Sequence, residues 1–362
     1  MQPALSSTTA FLYQRLFKPV VFLMDPEFIH NQHALFGVQL GKVGPAKNML
    51  SWLWSYQNPK LQRTLDGIMF PNPVGLAAGF DYNGDLTGIL PAVGFGFHSI
   101  GTVTLNAYEG NPAPRLGRFP GSKALLVNKG LKNLGAEKII DKLSHLPQPA
   151  FSIPTGISIA STNRAYKNDT EQIKEIIKCF QLFEASSLSH AYYELNISCP
   201  NTFGGEPFTT CPRLEELLQA MDKLNLRKPL YVKMPIDQEE EESFQLLKVI
   251  AKHNTQGLIL GNLTKDKNNP ALTKADLKKW RQSAGNVSGK PTWNRSNRLI
   301  KLARSKYKNR FTLIGTGGVF SGKDAQHKLN LGADLVQLIT GMIFQGPQLI
   351  GQINQYLAKN VR

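Results

Sequence analysis

Cysteine is scarce: Cys179, Cys199 and Cys211 are the only three in 362 residues, and no pair has the spacing of zinc ligands. That count excludes a disulfide framework and argues for a reducing compartment. The seven histidines are scattered, with His30 and His33 the nearest to one another, so no metal site is expected. No apolar run approaches the ~20 residues of a membrane-crossing helix. No charged stretch followed by a long apolar core opens the chain, so no signal peptide is expected. Acidic residues are also few, 26 against 42 basic ones, for a net charge of +16. Such a surface favours phosphate cofactors, acidic substrates, anionic lipid or nucleic acid, unless the charge serves only solubility. The lysines clustered in 265–279 and 301–308 have only Tyr307 among them as an aromatic, so no nucleic-acid module is expected. Gly75-Leu76-Ala77-Ala78-Gly79 lacks the G-x-G-x-x-G spacing, which argues against an open doubly wound sheet.

What is present is a large apolar fraction, 41% of residues, and a regular alternation. Candidate strands end at Ala78, Val103, Ala160, Ser198, Met234, Gly261, Thr316 and Ile339, each running into a small or polar turn. Helical patterns follow, as at Thr170–Leu188, Arg213–Leu224, Glu239–His253 and Ser296–Lys306. Eight strand–helix units predict an α/β fold, a parallel (β/α)8 TIM barrel whose ligand site lies at the C-terminal strand ends. The acidic run Asp237–Glu242 reads as the first turn of a helix, where carboxylates are favoured, rather than as a metal site. The expected division is a helical appendage over residues 1–60 and the barrel over 61–362. In the appendage, residues 11–24 mix aromatics and aliphatics with Gln14, Arg15 and Lys18, Pro19 breaking or restarting the helix, and a second apolar set at 49–54 has basic residues around it. Such short amphipathic helices either cap a barrel or lie in a membrane interface and form the mouth of an apolar tunnel.

Several residues at the predicted strand ends can carry chemistry. The turns Gly315-Thr316-Gly317-Gly318 and Thr340-Gly341 close adjacent strands and present bare backbone N–H groups to an anion such as a phosphate. Lys233 sits inside an apolar strand, where a cation is costly unless it serves an anionic ring or reaches the rim. Cys199 follows Tyr192–Ser198 in a polar turn; a thiol there is either an acid or base or an inert buried group. Asn196, Asn201 and Asn262 supply carboxamides for a planar ring, or else form turns.

These residues, with Asn72–Asp81, Gly94-Phe95-Gly96, Gly101–Thr104, Gly110–Leu116, Asn196–Thr202 and Val287–Pro291, resemble the dihydroorotate dehydrogenase family from about Leu12 to the C-terminus. The resemblance implies an FMN barrel that oxidises dihydroorotate to orotate in pyrimidine biosynthesis. Leu23-Met24-Asp25-Pro26-Glu27 is similar to the start of the appendage of the quinone-using class, which lines a quinone tunnel. A peripheral location on the cytoplasmic side of a membrane and electron transfer to quinone are implied. The match places Ala78, Gly79, Thr102, Asn196, Lys233, Gly289, Gly317, Gly318, Thr340 and Gly341 at FMN. It makes Cys199 the base at C5 while C6 gives hydride to FMN, with Asn196, Asn201 and Asn262 holding the ring.

The chain departs from the family on the substrate side. Cys199 is the soluble classes' base, where the quinone class has Ser. Tyr82 stands where the quinone class has Lys, Gly101 where the soluble classes have theirs, Val127 where the family has Asn, Leu263 where it has a hydroxyl and Ser158 where it has a cofactor-binding Asn. Lys129 or Lys132 is placed to compensate for the missing lysine. The alternative is a relative acting on a less anionic dihydropyrimidine or cyclic enamide. A tRNA-modifying flavoprotein shares the Asn-x-x-Cys-Pro strand end but not the other motifs.

Overall fold

The computed structural model describes residues 3–147 and 149–360. The outermost positions of the two expected segments, 1, 2, 361 and 362, lie outside them.

Eight parallel strands form a closed barrel: Val74–Leu76, Phe97–Val103, Thr155–Ile159, Tyr192–Asn196, Leu230–Met234, Gly257–Leu260, Thr312–Thr316 and Leu335–Leu338. Each pairs with its neighbour in chain order, and the last pairs with the first. The predicted strand ends fall at or within two residues of these. The outward faces of the strands pack on the surrounding helices, in a core that includes Ile157, Leu195, Val232 and Leu260. The outward faces are mostly apolar, as are the inward faces at the lower end of the barrel, which is why the strands read as largely hydrophobic runs. The helix Glu240–Ile250 starts with the acidic run: the Glu239 N–H donates to Glu242 at 3.1 Å in a capping box.

The interior is filled from the bottom. Phe70, Phe97, Tyr192, Tyr231, Ile259, Ile314 and Leu335 make a buried apolar floor. Above it the filling turns polar. Glu194 accepts from Ser99 and from Gln337 Nε2 (3.2 Å), and Ser99 Oγ lies 3.0 Å from the Tyr192 hydroxyl. One step higher, Asn196 stands beside Lys233 on the neighbouring strand. The polar filling thus climbs toward the C-terminal rim.

Two small sheets were not read from the sequence. A hairpin, Arg63–Leu65 with Ile68–Phe70, plugs the bottom through Phe70. An antiparallel sheet of Leu116–Phe119, Ala124–Val127 and Asn286–Gly289 stands over the mouth. Its strands are four residues long and partly exposed, too short for a clear period-two signal.

Residues 3–54 form consecutive helices, with a π-helical turn at Tyr13–Phe17 and Pro19 in the first turn of Lys18–Leu23, where proline is tolerated. The helices Pro26–Lys42 and Gly44–Trp54 follow. This helical appendage is tied to the barrel at its mouth. Tyr13 donates to the Ile343 carbonyl at 2.7 Å and Arg118 to that of Met24 at 2.7 Å. No helix among the described residues is long and apolar enough to cross a membrane.

Candidate active site

The candidate cofactor and substrate residues meet at the C-terminal rim, in two adjoining cavities that share Ala78, Lys233 and Asn262, whereas Gly101, Lys132 and Ser158 line neither. The deeper one holds the glycine turns: Gly317, Gly318, Thr340 and Gly341 line it together with Gly289. Gly318 has φ +73°, and a Cβ there would lie 2.8 Å from Trp293. A Cβ on Gly341 would lie 1.9 Å from the Val319 carbonyl oxygen. These positions exclude side chains, so backbone N–H groups form the wall, as an anion nest requires. Thr340 Oγ1 lies 2.9 Å from the Ser288 hydroxyl, which ties the overlying sheet to the same wall.

The second cavity runs from this nest toward the appendage. Gly79, Thr102, Asn196 and Lys233 line its inner side, and Tyr82, Lys129, Cys199 and Asn201 its outer side. Lys233 is 5% exposed and makes no ion pair within 4 Å among the described residues. Burial lowers its affinity for a proton, and the buried Glu194 carboxylate below works against that loss. Burial pushes Glu194 up in turn, with Lys233 opposing. A cation facing the cavity beside a nest of N–H groups suits FMN: the nest for the phosphate, the ammonium for a ring that gains negative charge. The residues present fit that group.

The three carboxamides are locked by the protein. Asn196 Nδ2 donates to Thr102 Oγ1 at 2.8 Å, and its Oδ1 accepts from the Ser198 N–H at 3.2 Å. Asn201 Nδ2 donates to the Val127 carbonyl at 2.9 Å, and its Oδ1 accepts from Asn286 at 2.7 Å. Asn262 Nδ2 donates to the Ser198 carbonyl at 2.8 Å. Cys199 sits among them on the loop after Tyr192–Asn196, and burial pushes its thiol up to about 11.

Sequence reasoning missed the groups that connect this cavity to the appendage. Glu27 accepts from Lys129 Nζ at 2.6 Å and from Arg115 Nε at 2.9 Å. His30 lines the cavity and stands edge-on to Phe80 and Tyr82. Burial, with Lys129 adding to it, lowers His30 to about 4, so the ring is neutral at pH 7. Lys129 Nζ lies 5.4 Å from the centre of the Tyr82 ring. A cation therefore stands beside Tyr82, the position at which the sequence resemblance expects a lysine. Asn111 was also missed, although its motif was quoted: it bridges Asn128 Oδ1 and the Asn201 carbonyl, each at 2.9 Å.

The family model described as "Dihydroorotate dehydrogenase" matches residues 60–361. Among curated relatives, the dihydroorotate dehydrogenase (quinone) of Methylococcus capsulatus is 35% identical over 96% of this chain and 99% of its own. That of Trichodesmium erythraeum is 31% identical over 97% and 95%. Among solved structures, the ligand-free enzyme of Eimeria tenella superposes with a TM-score of 0.79 over 92% of this chain and 94% of that one, at 24% identity, which speaks to the fold. The chain belongs to the dihydroorotate dehydrogenase family, with the quinone class.

Proposed function

We propose that the chain is an FMN-dependent oxidoreductase that converts dihydroorotate to orotate and passes the electrons to a quinone. The observation that carries this is the convergence of Cys199, Lys233 and Lys129 on the cavity that adjoins the glycine nest. Gly317, Gly318, Thr340, Gly341 and Gly289 would hold the FMN phosphate, and Ala78, Gly79, Thr102, Asn196 and Lys233 its ring. Bound FMN supplies the acceptor for the hydride that leaves C6. Cys199 takes the C5 proton as its thiolate, so both hydrogens are accounted for as C5–C6 becomes a double bond. Asn196, Asn201 and Asn262 are pre-set by their own hydrogen bonds, so little ordering is needed when a ring is held. Tyr82 and Lys129 form the wall at the substrate carboxylate, Lys129 standing in for the absent lysine. Rapid mixing of the holoenzyme with dihydroorotate tests the reading: the flavin absorbance is expected to bleach, and no bleaching at millimolar substrate overturns it.

A second reading is favoured by Leu263 and Tyr82, which line the cavity where the family has polar partners. A ring without the carboxylate, such as a neutral dihydropyrimidine, suits those walls. Bleaching by that ring and not by dihydroorotate decides for it.

We further read residues 1–60 as a separate appendage on the barrel of 61–362, resting peripherally on the cytoplasmic face of a membrane. Leu12, Leu16, Val20 and Leu23 recur at helical spacing and are all exposed, Leu23 at 89%. Such a stripe on a strongly basic chain suits an anionic lipid surface, from which a quinone reaches the mouth.

A further inference from the structure

We propose that Glu27 is the resident counter-ion of Lys129 and competes for it with the substrate's carboxylate, so that binding an acid ring loosens the hold of the barrel on the helix Pro26–Lys42. This rests on the dihydroorotate reading and concerns the same site. It begins from the geometry of one carboxylate with two cations. Glu27 Oε1 takes Lys129 Nζ and Oε2 takes Arg115 Nε, at 2.6 and 2.9 Å. The side chains of Lys129 and Glu27 are 5% and 13% exposed, so this pair is poorly screened by solvent. Burial pushes the Glu27 carboxyl up, but its bonds to Arg115 and Lys129 outweigh that and leave it below the usual range. It is ionised at pH 7. Lys129 and Tyr82 line the same cavity as Cys199 and Asn201, whereas Glu27 belongs to the appendage.

An acid ring in that cavity therefore meets a lysine that already holds a carboxylate. The charge count allows an exchange. Glu27, Lys129 and Arg115 together carry one net positive charge, and the neutral His30 adds none. One more anion brings the group to neutrality. Lys129 can then swing to the substrate while Glu27 keeps Arg115, so no carboxylate is left buried without a cation. The helix keeps its other anchors, among them the Arg118 bond to the Met24 carbonyl just before it. The exchange thus weakens its hold on the barrel without releasing it. In a chain whose family lysine is Tyr82, this makes the affinity for an acid substrate depend on a residue of the appendage.

Orotate titration of the holoenzyme, read by the flavin absorbance change, gives the test. Glu27→Gln removes the competitor and is expected to tighten orotate about fivefold. Arg115→Gln leaves Glu27 wholly to Lys129 and is expected to weaken orotate by a similar factor, about fivefold. Lys129→Gln is expected to weaken it by about ten- to a hundredfold. Saturating orotate is expected to raise amide hydrogen exchange across Pro26–Lys42 in the unaltered protein. Opposite signs for Glu27→Gln and Arg115→Gln are what a merely structural ion pair does not produce, because loosening the helix by either route would act in one direction. Weaker orotate binding in both variants, or exchange in Pro26–Lys42 that ignores orotate, overturns the proposal. If Lys129→Gln weakens orotate while Glu27→Gln leaves it unchanged, the competition falls and the dihydroorotate reading stands. If orotate leaves the flavin spectrum of the unaltered protein untouched, that reading falls and takes the competition with it.

Discussion

The inner and outer halves of the cavity are built on different principles. The inner half is backbone: Gly317, Gly318, Gly289 and Gly341 present N–H groups whose positions are fixed by strand ends, and there is no room for a side chain. The outer half is side chains: Tyr82, Lys129, His30, Cys199 and Asn201, with Lys129 and Tyr82 in contact with Glu27 and His30 of the appendage. A backbone site keeps its ligand class when the surrounding sequence drifts. A site of long ionic side chains re-tunes with one substitution. In the resemblance read from the sequence, the glycine turns keep the family's pattern and Tyr82, Val127 and Leu263 depart from it, the division that this difference predicts.

The comparison breaks first if the backbone half tolerates change. Gly341→Val puts a side chain where even a Cβ would lie 1.9 Å from the Val319 carbonyl oxygen. The expected result is a folded protein purified without flavin, seen as loss of the visible absorbance, while Tyr82→Lys retains its full flavin content. Flavin retained by Gly341→Val would show that the nest is not the phosphate site.

Cys199→Ala is expected to keep FMN and lose about 10²–10⁴-fold in the rate of flavin reduction by dihydroorotate, the usual worth of a general base. The pH dependence has a definite sign. The thiolate is the reactive form, and burial places the thiol at about 11. The reduction rate is therefore expected to climb with pH through the alkaline range and level off only near that value. A rate independent of pH between 8 and 10 would remove Cys199 from the step.

How far this division could be seen in the sequence follows from the same physics. The eight barrel strands were legible because a parallel strand covered on both faces is a largely apolar run that ends in a polar turn. The glycine nest was legible because a bare backbone leaves its mark as glycine. The outer half was not, because its groups come from distant segments. Nothing in Pro26–Lys42 announces that Glu27 reaches Lys129, 102 positions away. The carboxamides Asn196, Asn201 and Asn262 were found by residue type, but that their amides are bonded to Thr102, Val127 and Ser198 is a fact of packing. Lys328 escaped notice because a lysine on the helix Gly322–Asn330 reads as a solvent-facing residue.

Lys328 tests whether the backbone half is as undemanding as it looks. It is fully buried, donating to Ser296 Oγ and Asn297 Oδ1 at 2.9 Å each, and Ser296 in turn bonds the carbonyls of Leu260 and Thr316 below the nest. Burial lowers its pKa to about 7, with Asp324 opposing and Lys290 adding to the shift. A depressed lysine means that the unfolded chain holds the proton more tightly than the folded one. Its contribution to stability therefore rises with pH from about 7 up to the unfolded value, roughly 10.4. The unaltered protein is expected to gain thermal stability from this source between pH 7 and 10, and Lys328→Met is expected to gain less. Equal gains in the two proteins, measured by thermal unfolding of the holoenzymes, would mean that Lys328 is not strained by its burial.

The smallest expected effect lies farthest from the cavity. Leu16 and Leu23 are exposed in the unbroken helical run before Asp25, and neither lines the cavity. Changing both to Glu removes apolar area from the stripe and places negative charge against an anionic surface. Each buried leucine contributes at most about 1.5–3 kcal/mol, and a side chain that only dips into an interface contributes a fraction of that. Several-fold weaker sedimentation with vesicles containing anionic lipid is expected, with flavin content and reduction by dihydroorotate unchanged. If the double variant instead lost flavin or slowed its reduction, the appendage would be supporting the inner half of the site as well. The line between a backbone-built inner half and an appendage-tuned outer half would then have to be drawn elsewhere.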